Sequence, residues 1–89
     1  MSTYQRASHV FSSMMPDGEY AILDVERSTY YGLNPVAARL WELLDEPTTL
    51  EALVEKLVLE FEVAESQCRT EVERFIADMH AKALIERVG

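Results

Sequence analysis

Residues 20–44 read YAILDVERSTYYGLNPVAARLWELL and join two strand-like runs to the start of a helix. Both runs are rich in β-branched, aromatic and aliphatic residues, which suit a half-buried strand. The break between them is formed by the polar residues Asp24, Glu26, Arg27 and Ser28. Asn34 offers a side-chain oxygen to the first free amides of a helix, and Pro35 fits the first turn, where no N–H is needed. We therefore predict a hairpin whose second strand leads almost directly into a helix.

A further strand is predicted upstream of this hairpin. Residues 9–15 contain the run VFSSMM, and the turn cluster Pro16-Asp17-Gly18 follows it. With residues 19–25 and 29–33 this gives three short strands, whose tight connections permit only antiparallel pairing. Residues 1–8 are polar and lack a period, so we expect a flexible N-terminal tail at 1–8 and one domain at 9–89.

Three helices are predicted after the strands, because the apolar period changes from two to about 3.6 beyond Pro35. Pro47 ends the first helix, and Thr48-Thr49-Leu50-Glu51 matches a capping box that starts the second. The third is expected from about residue 65 to about residue 82, with Ile76 to one side of an apolar stripe made of Cys68, Val72, Phe75 and Met79. The predicted fold class is α+β, a winged helix-turn-helix-like arrangement of a three-stranded antiparallel sheet followed by three helices.

Composition and charge narrow the possible functions. The chain has 89 residues and a formal net charge of −8, which repels phosphate backbones and anionic lipid headgroups. We therefore expect neither nucleic acid nor a membrane as a partner. The single cysteine cannot form an internal disulfide, and no apolar run is long enough to span a bilayer. These features predict a soluble, unprocessed and cytoplasmic protein.

No motif in the sequence points to catalysis. Cys68 lies on a predicted apolar stripe, where a thiol usually serves as a small buried hydrophobe. His9 and His80 lie in different elements without neighbouring ligands at metal-binding spacing. The three glycines are isolated, so no nucleotide-binding loop is present. We expect no enzymatic activity, no catalytic residues, no metal site and no cofactor.

Two functions suit the predicted fold, DNA binding and peptide binding. A DNA-binding third helix needs an excess of Lys and Arg, whereas this helix has Arg69 and Arg74 against four acidic residues. We therefore keep a winged-helix transcriptional regulator only as the alternative function. A small sheet has edges that can accept one further strand, so peptide binding matches better. The expected lining of the peptide site is Tyr30, Tyr31 and Leu33 on one wall with Val72 and Ile76 opposite.

The segments LDVERSTYYGLNP, RLWELL, TLEALVEKL, EVERFIADM and ALIER resemble the PqqD family, and more narrowly the stand-alone leader-binding proteins of lasso-peptide gene clusters. The similarity extends from about residue 9 to the end. It implies a recognition element for the leader region of a ribosomally made precursor peptide, called a RiPP recognition element. It also implies two partners, a leader peptidase of the cysteine protease class and the cyclase that closes the lasso ring.

The resemblance also implies which residues contact the leader. The strand that pairs with the leader corresponds to Thr29, Tyr30, Tyr31, Gly32 and Leu33. The facing helix contributes Arg69, Val72, Glu73 and Ile76, with Arg69 or Glu73 reading a polar group. The chain departs from the family pattern at three places: it lacks a turn glycine at residues 26–28, it has Ala37 where glycine is frequent, and it has Ala64 where a polar helix cap is usual.

Overall fold

The computed structural model describes residues 2–17 and 19–88, and it confirms the predicted sheet followed by three helices. Two short strands, one near each end of the chain, were not predicted. The elements in chain order are β1 (Tyr4–Arg6), β2 (Val10–Met14), β3 (Tyr20–Asp24), β4 (Thr29–Leu33), α1 (Pro35–Leu43), α2 (Leu50–Phe61), α3 (Glu65–Ala81) and β5 (Ile85–Arg87). Within these described residues no helix is long and apolar enough to cross a membrane.

The three-stranded sheet has the order β2-β3-β4 and is antiparallel throughout. The turn between β3 and β4 forms without the glycine that the family favours. Ser28 takes the left-handed conformation there (φ 51°), and the buried Asp24 carboxylate accepts hydrogen bonds from the N–H groups of Glu26 (3.0 Å) and Arg27 (3.2 Å). These side-chain bonds hold a turn that would otherwise favour glycine.

Both predicted helix starts are present, although the second one is capped differently from the prediction. Asn34 accepts from the N–H of Ala37 at 2.8 Å, as predicted. At α2 the capping residue is Thr49, which accepts from the N–H of Ala52 at 3.1 Å. Glu51 does not reach back to the cap as in a capping box, because its carboxylate pairs with Arg69.

One core lies between the helices and the inner face of the sheet. Ile22 is its main contribution from the sheet, and Trp41 is fully buried at its centre. The apolar stripe of α3 is rotated relative to the prediction, because Ile76 is 5% exposed whereas Phe75 is only half-buried. The core members from the three helices are Leu40, Trp41, Leu44, Leu53, Val54, Leu57, Cys68, Val72, Ile76 and Met79.

The predicted flexible tail at residues 1–8 differs from the structure, in which β1 pairs antiparallel with β5. Tyr4 also exchanges two backbone hydrogen bonds with Thr48, of 2.7 and 2.9 Å. Ala7 is 2% exposed and belongs to the core. Residues 4–7 therefore pack with the domain, because pairing with distant residues satisfies their backbone groups. Met1 of this tail and Gly18 of the predicted turn lie outside the described residues.

Candidate functional site

β4 is an edge strand, and its register shows which backbone groups are free. Antiparallel strands alternate between residues that bond to one neighbour and residues that bond to the other. The N–H of Val25 donates to the carbonyl of His9. The backbone N–H and C=O groups of odd-numbered residues in β3 therefore point towards β2, and those of even-numbered residues point towards β4. The register pairs even-numbered residues of β3 with odd-numbered residues of β4, so the backbone groups of the odd-numbered β4 residues point towards β3. Tyr30 and Gly32 therefore direct their N–H and C=O groups away from the sheet.

The C-terminal half of α3 lies beside this free edge. Lys82, just past the helix, places its ammonium nitrogen 4.9 Å from the centroid of the Tyr31 ring and 2.9 Å from Oδ2 of Asp78. Its carbonyl accepts from Nη1 of Arg27 at 3.4 Å, which joins the β3–β4 turn to the end of α3. Sheet edge and helix are thus held together near Tyr31.

Just past the end of β4, at Asn34, a cleft of about 600 Å³ lies between the start of α1 and the middle of α3. Phe75 lines it from α3, and Val36 and Leu40 line it from α1. We call the whole depression the β4–α3 groove. Half-buried Val36 and Phe75 form its apolar walls in the cleft, and half-buried Tyr31 lies at its other end beside Lys82. Its rim on α3 carries Glu71, Arg74 and Asp78, with Lys82 just past the helix.

The predicted strand residues do lie at this edge, but on two faces of the sheet. Tyr31 and Leu33 are half-buried on the inner face. Tyr30 points to the outer face and is 69% exposed, and Phe11 and Leu23 lie exposed on the same face. Thr29 begins the strand and is exposed. Leu33 lines a separate cleft together with Tyr20 and Ala38, so the strand offers the groove the Tyr31 side chain and its free backbone.

The predicted residues of α3 do not face β4. Arg69 makes two hydrogen bonds to Glu51, of 2.5 and 2.8 Å, across the cleft between α2 and α3. Val72 is fully buried in the core. Glu73 and Ile76 line a different cleft together with Tyr4.

The residues of α3 that line the groove lie outside the predicted set: Glu71, Arg74, Phe75 and Asp78. A usable signal was present in the sequence, because Asp78 is one turn from Lys82 and Phe75 lies about one turn before Asp78. That spacing marks one stripe of α3, and the contact of Lys82 with Tyr31 in the structure shows that this stripe borders β4.

Potential reactive groups lie away from the groove. Cys68 is 3% exposed in the core, and burial raises the pKa of its thiol, which keeps it protonated at neutral pH. This agrees with the predicted structural role. Among the described residues, no group of three or more His, Cys, Asp or Glu side chains is arranged to hold a metal ion.

Comparison with known proteins gives one family and a consistent set of structures. The family described as coenzyme PQQ synthesis protein D (PqqD) matches residues 19–85, which is more than half of the chain. No curated protein matches the chain significantly. The structure of TbiB1 in complex with the TbiA(beta) leader peptide is similar at 27% identity, with a TM-score of 0.83 and coverage of 96% of this chain and 98% of that one.

Two more distant structures share the fold. A lasso peptide synthetase B1 complexed with the leader peptide is 16% identical, with a TM-score of 0.80 and coverage of 93% and 96% of the two chains. The PqqD truncation of Methylobacterium extorquens PqqCD, described as a functional and stand-alone RiPP recognition element, is 15% identical, with a TM-score of 0.79 and coverage of 96% and 89%.

Proposed function

This chain belongs to the PqqD family, and on that basis we propose that it is a peptide-recognition element rather than an enzyme. Its ligand is the leader region of a ribosomally made precursor peptide, which binds as an additional strand on β4. The observation that carries the proposal is the free backbone edge at Tyr30 and Gly32, which lies directly beside the apolar β4–α3 groove.

Backbone pairing alone cannot hold such a peptide. Each hydrogen bond nets about 0.5–1.5 kcal/mol, whereas fixing the backbone of each peptide residue costs about 1–2 kcal/mol. An apolar side chain that becomes fully buried adds about 1.5–3 kcal/mol. The groove offers partly exposed apolar walls for two or three such anchors, at Tyr31, Val36 and Phe75. Strand addition therefore fixes the register of the peptide on β4, and the groove provides most of the affinity and selects the peptide sequence.

We also propose that the bound leader is delivered to a separate leader peptidase of the cysteine protease class, with a lasso cyclase acting afterwards. The support is the similarity to TbiB1 in its complex with a leader peptide, because this similarity extends over nearly the whole length of both chains. In this role the chain accelerates cleavage of its precursor by the peptidase and is not consumed.

Substitutions at Gly32 test strand addition directly. Gly32→Pro removes an outward N–H while keeping every hydrogen bond to β3, and edge strands tolerate proline at such positions. Gly32→Ala is the matched control, because it keeps the N–H and nothing lies within 4 Å of the added methyl group. We expect both variants to fold, and we expect only Gly32→Pro to lose peptide binding.

The probes are the TbiA(beta) leader peptide and peptides selected from a displayed library of random linear sequences. Binding is measured by titration calorimetry against the purified protein. A labelled DNA duplex serves as the comparison ligand, and saturable binding of DNA without any peptide binding would favour the transcriptional regulator. Peptides that bind Gly32→Pro as well as the unchanged protein would contradict strand addition.

A further inference from the structure

Most of the basic side chains in the structure are already paired. The chain has eight Lys and Arg residues, and five of them have a carboxylate oxygen within 4 Å. Arg74 is not one of these: in the described part of the chain it has no carboxylate at ion-pair distance. The shortest pair of each is Arg6–Asp45, Arg27–Asp24, Arg39–Glu60, Arg69–Glu51 and Lys82–Asp78.

The position of Arg74 makes its free charge significant. It lines the cleft at the far end of the β4–α3 groove, next to the apolar wall formed by Phe75. Asn34 lines the same cleft and follows β4 directly, so a peptide that extends along the strand passes into this space. Arg74 is therefore a free cation at the end of the expected path of the peptide.

Two acids share the cleft, and neither of them forms an ion pair with Arg74. Asp78 is held by Lys82, whose ammonium nitrogen lies 2.9 Å from Oδ2. Glu71 lies one turn earlier on α3 and lines the same cleft. Glu71 therefore competes with an incoming peptide carboxylate for the Arg74 guanidinium.

We propose that Arg74 is a specificity-determining residue of the groove that binds an acidic side chain of the peptide. This inference rests on the proposed function and adds a chemical requirement to it, an Asp or Glu where the peptide passes from β4 into the α1–α3 cleft. A guanidinium presents paired donors that match a carboxylate, and the apolar wall beside it together with the bound peptide excludes water from the contact.

The net charge of −8 repels an acidic peptide only weakly, because salt screens charges that are distant from the site of contact. Charges separated by more than about 8 Å are largely screened at physiological ionic strength. A direct contact at Arg74 is screened much less. We therefore expect the preference for an acidic residue to appear mainly in the dissociation rate of the peptide, as specific contacts usually do.

The test compares peptides selected from the displayed library on the unchanged protein and on Arg74→Glu. Peptides selected on the unchanged protein should carry Asp or Glu at one fixed position, and replacing it by Gln or Asn should weaken binding about tenfold to a hundredfold. Arg74→Glu should select Lys or Arg at that position. Glu71→Gln should tighten binding of the acidic peptide, since it removes the competing carboxylate.

Arg87→Glu is the matched control, because it makes the same charge change in a different cleft. Equal weakening by Arg74→Glu and Arg87→Glu would show a general charge effect and overturn the inference. An absence of charge preference at every position would also overturn it. Both outcomes leave the proposed function standing if Gly32→Pro still abolishes binding. Insensitivity to Gly32→Pro instead contradicts strand addition itself, and with it the path that leads the peptide to Arg74.

Discussion

Asp24 is the buried carboxylate that fixes the geometry of the groove. It is fully buried, and besides the two N–H groups of the β3–β4 turn it binds Nη1 of Arg27 at 2.9 Å. Arg27 in turn contacts the carbonyl of Lys82, so this single acid connects the end of β3 to the end of α3. A change at Asp24 is therefore expected to affect both stability and the width of the groove.

The charge state of Asp24 gives a pH-dependent prediction. Burial raises the pKa of its carboxyl, but the hydrogen bonds from Arg27 and from the backbone N–H groups outweigh burial, so the pKa is lowered from its ordinary value of 3.8. A lowered pKa means that ionised Asp24 stabilises the folded state. That contribution is complete above about pH 3.8 and is lost as the pH falls through the lower folded-state pKa.

We predict that Asp24→Asn lowers the free energy of unfolding at neutral pH, and that the difference from the unchanged protein shrinks below the ordinary pKa of 3.8. Urea unfolding over a series of pH values measures this. Asp17→Asn serves as the control, because Asp17 is exposed and accepts one backbone N–H. Equal losses in the two variants at neutral pH would contradict the role assigned to Asp24.

At the scale of elements, the sequence predicts where α3 begins and ends but not which face of it meets β4. Phe75 and Ile76 are adjacent and apolar, and either fits the 3.6-residue period of the buried stripe. Ile76 is the buried one, on the side of α3 that shares a cleft with Tyr4 of β1 and Leu50 of α2. That side is formed partly by β1, which has no periodic pattern of its own. The predicted α3 residues therefore lie about half a turn around the helix from the residues that line the groove.

The two neighbours should respond differently to truncation. Ile76→Ala removes a buried side chain and is expected to cost about 2–5 kcal/mol of unfolding free energy. Phe75→Ala should cost less stability, because Phe75 is only half-buried, and it should weaken peptide binding by removing a wall of the groove. Urea unfolding and calorimetric titration with a selected peptide separate the two effects. The opposite pattern would place the peptide on the Ile76 side of α3.

Both ends of the described chain meet in one two-stranded sheet. Tyr4 is opposite Arg87, and the N–H of Val88 donates to the carbonyl of Thr3 at 2.8 Å. Each strand is three residues long. Alternation cannot be recognised over so few residues, and the partner is almost a full chain length away. This pairing is accordingly the largest part of the fold that the sequence does not predict.

β1 covers the end of α1 at the only tryptophan of the chain. The guanidinium of Arg6 lies 5.2 Å from the centroid of the Trp41 ring, and its Nε donates to the Trp41 carbonyl at 2.8 Å. β4 lies in the other sheet, so the groove shares no strand with this contact. The two ends of the chain therefore support the core without forming part of the proposed binding site.

Deleting residues 2–6 should then lower stability and leave binding intact. Each lost backbone hydrogen bond is expected to cost about 0.5–1.5 kcal/mol, and the fluorescence of Trp41 should shift towards the red as water reaches the ring. The affinity of the folded fraction for a selected peptide should not change, because β4 and the groove-facing side of α3 keep their contacts. Gln5→Ala is the control, since Gln5 makes only one long side-chain bond, of 3.4 Å, to the Asp45 carbonyl. A deletion variant that keeps full stability but loses peptide binding would show that β1, and not β4, receives the peptide.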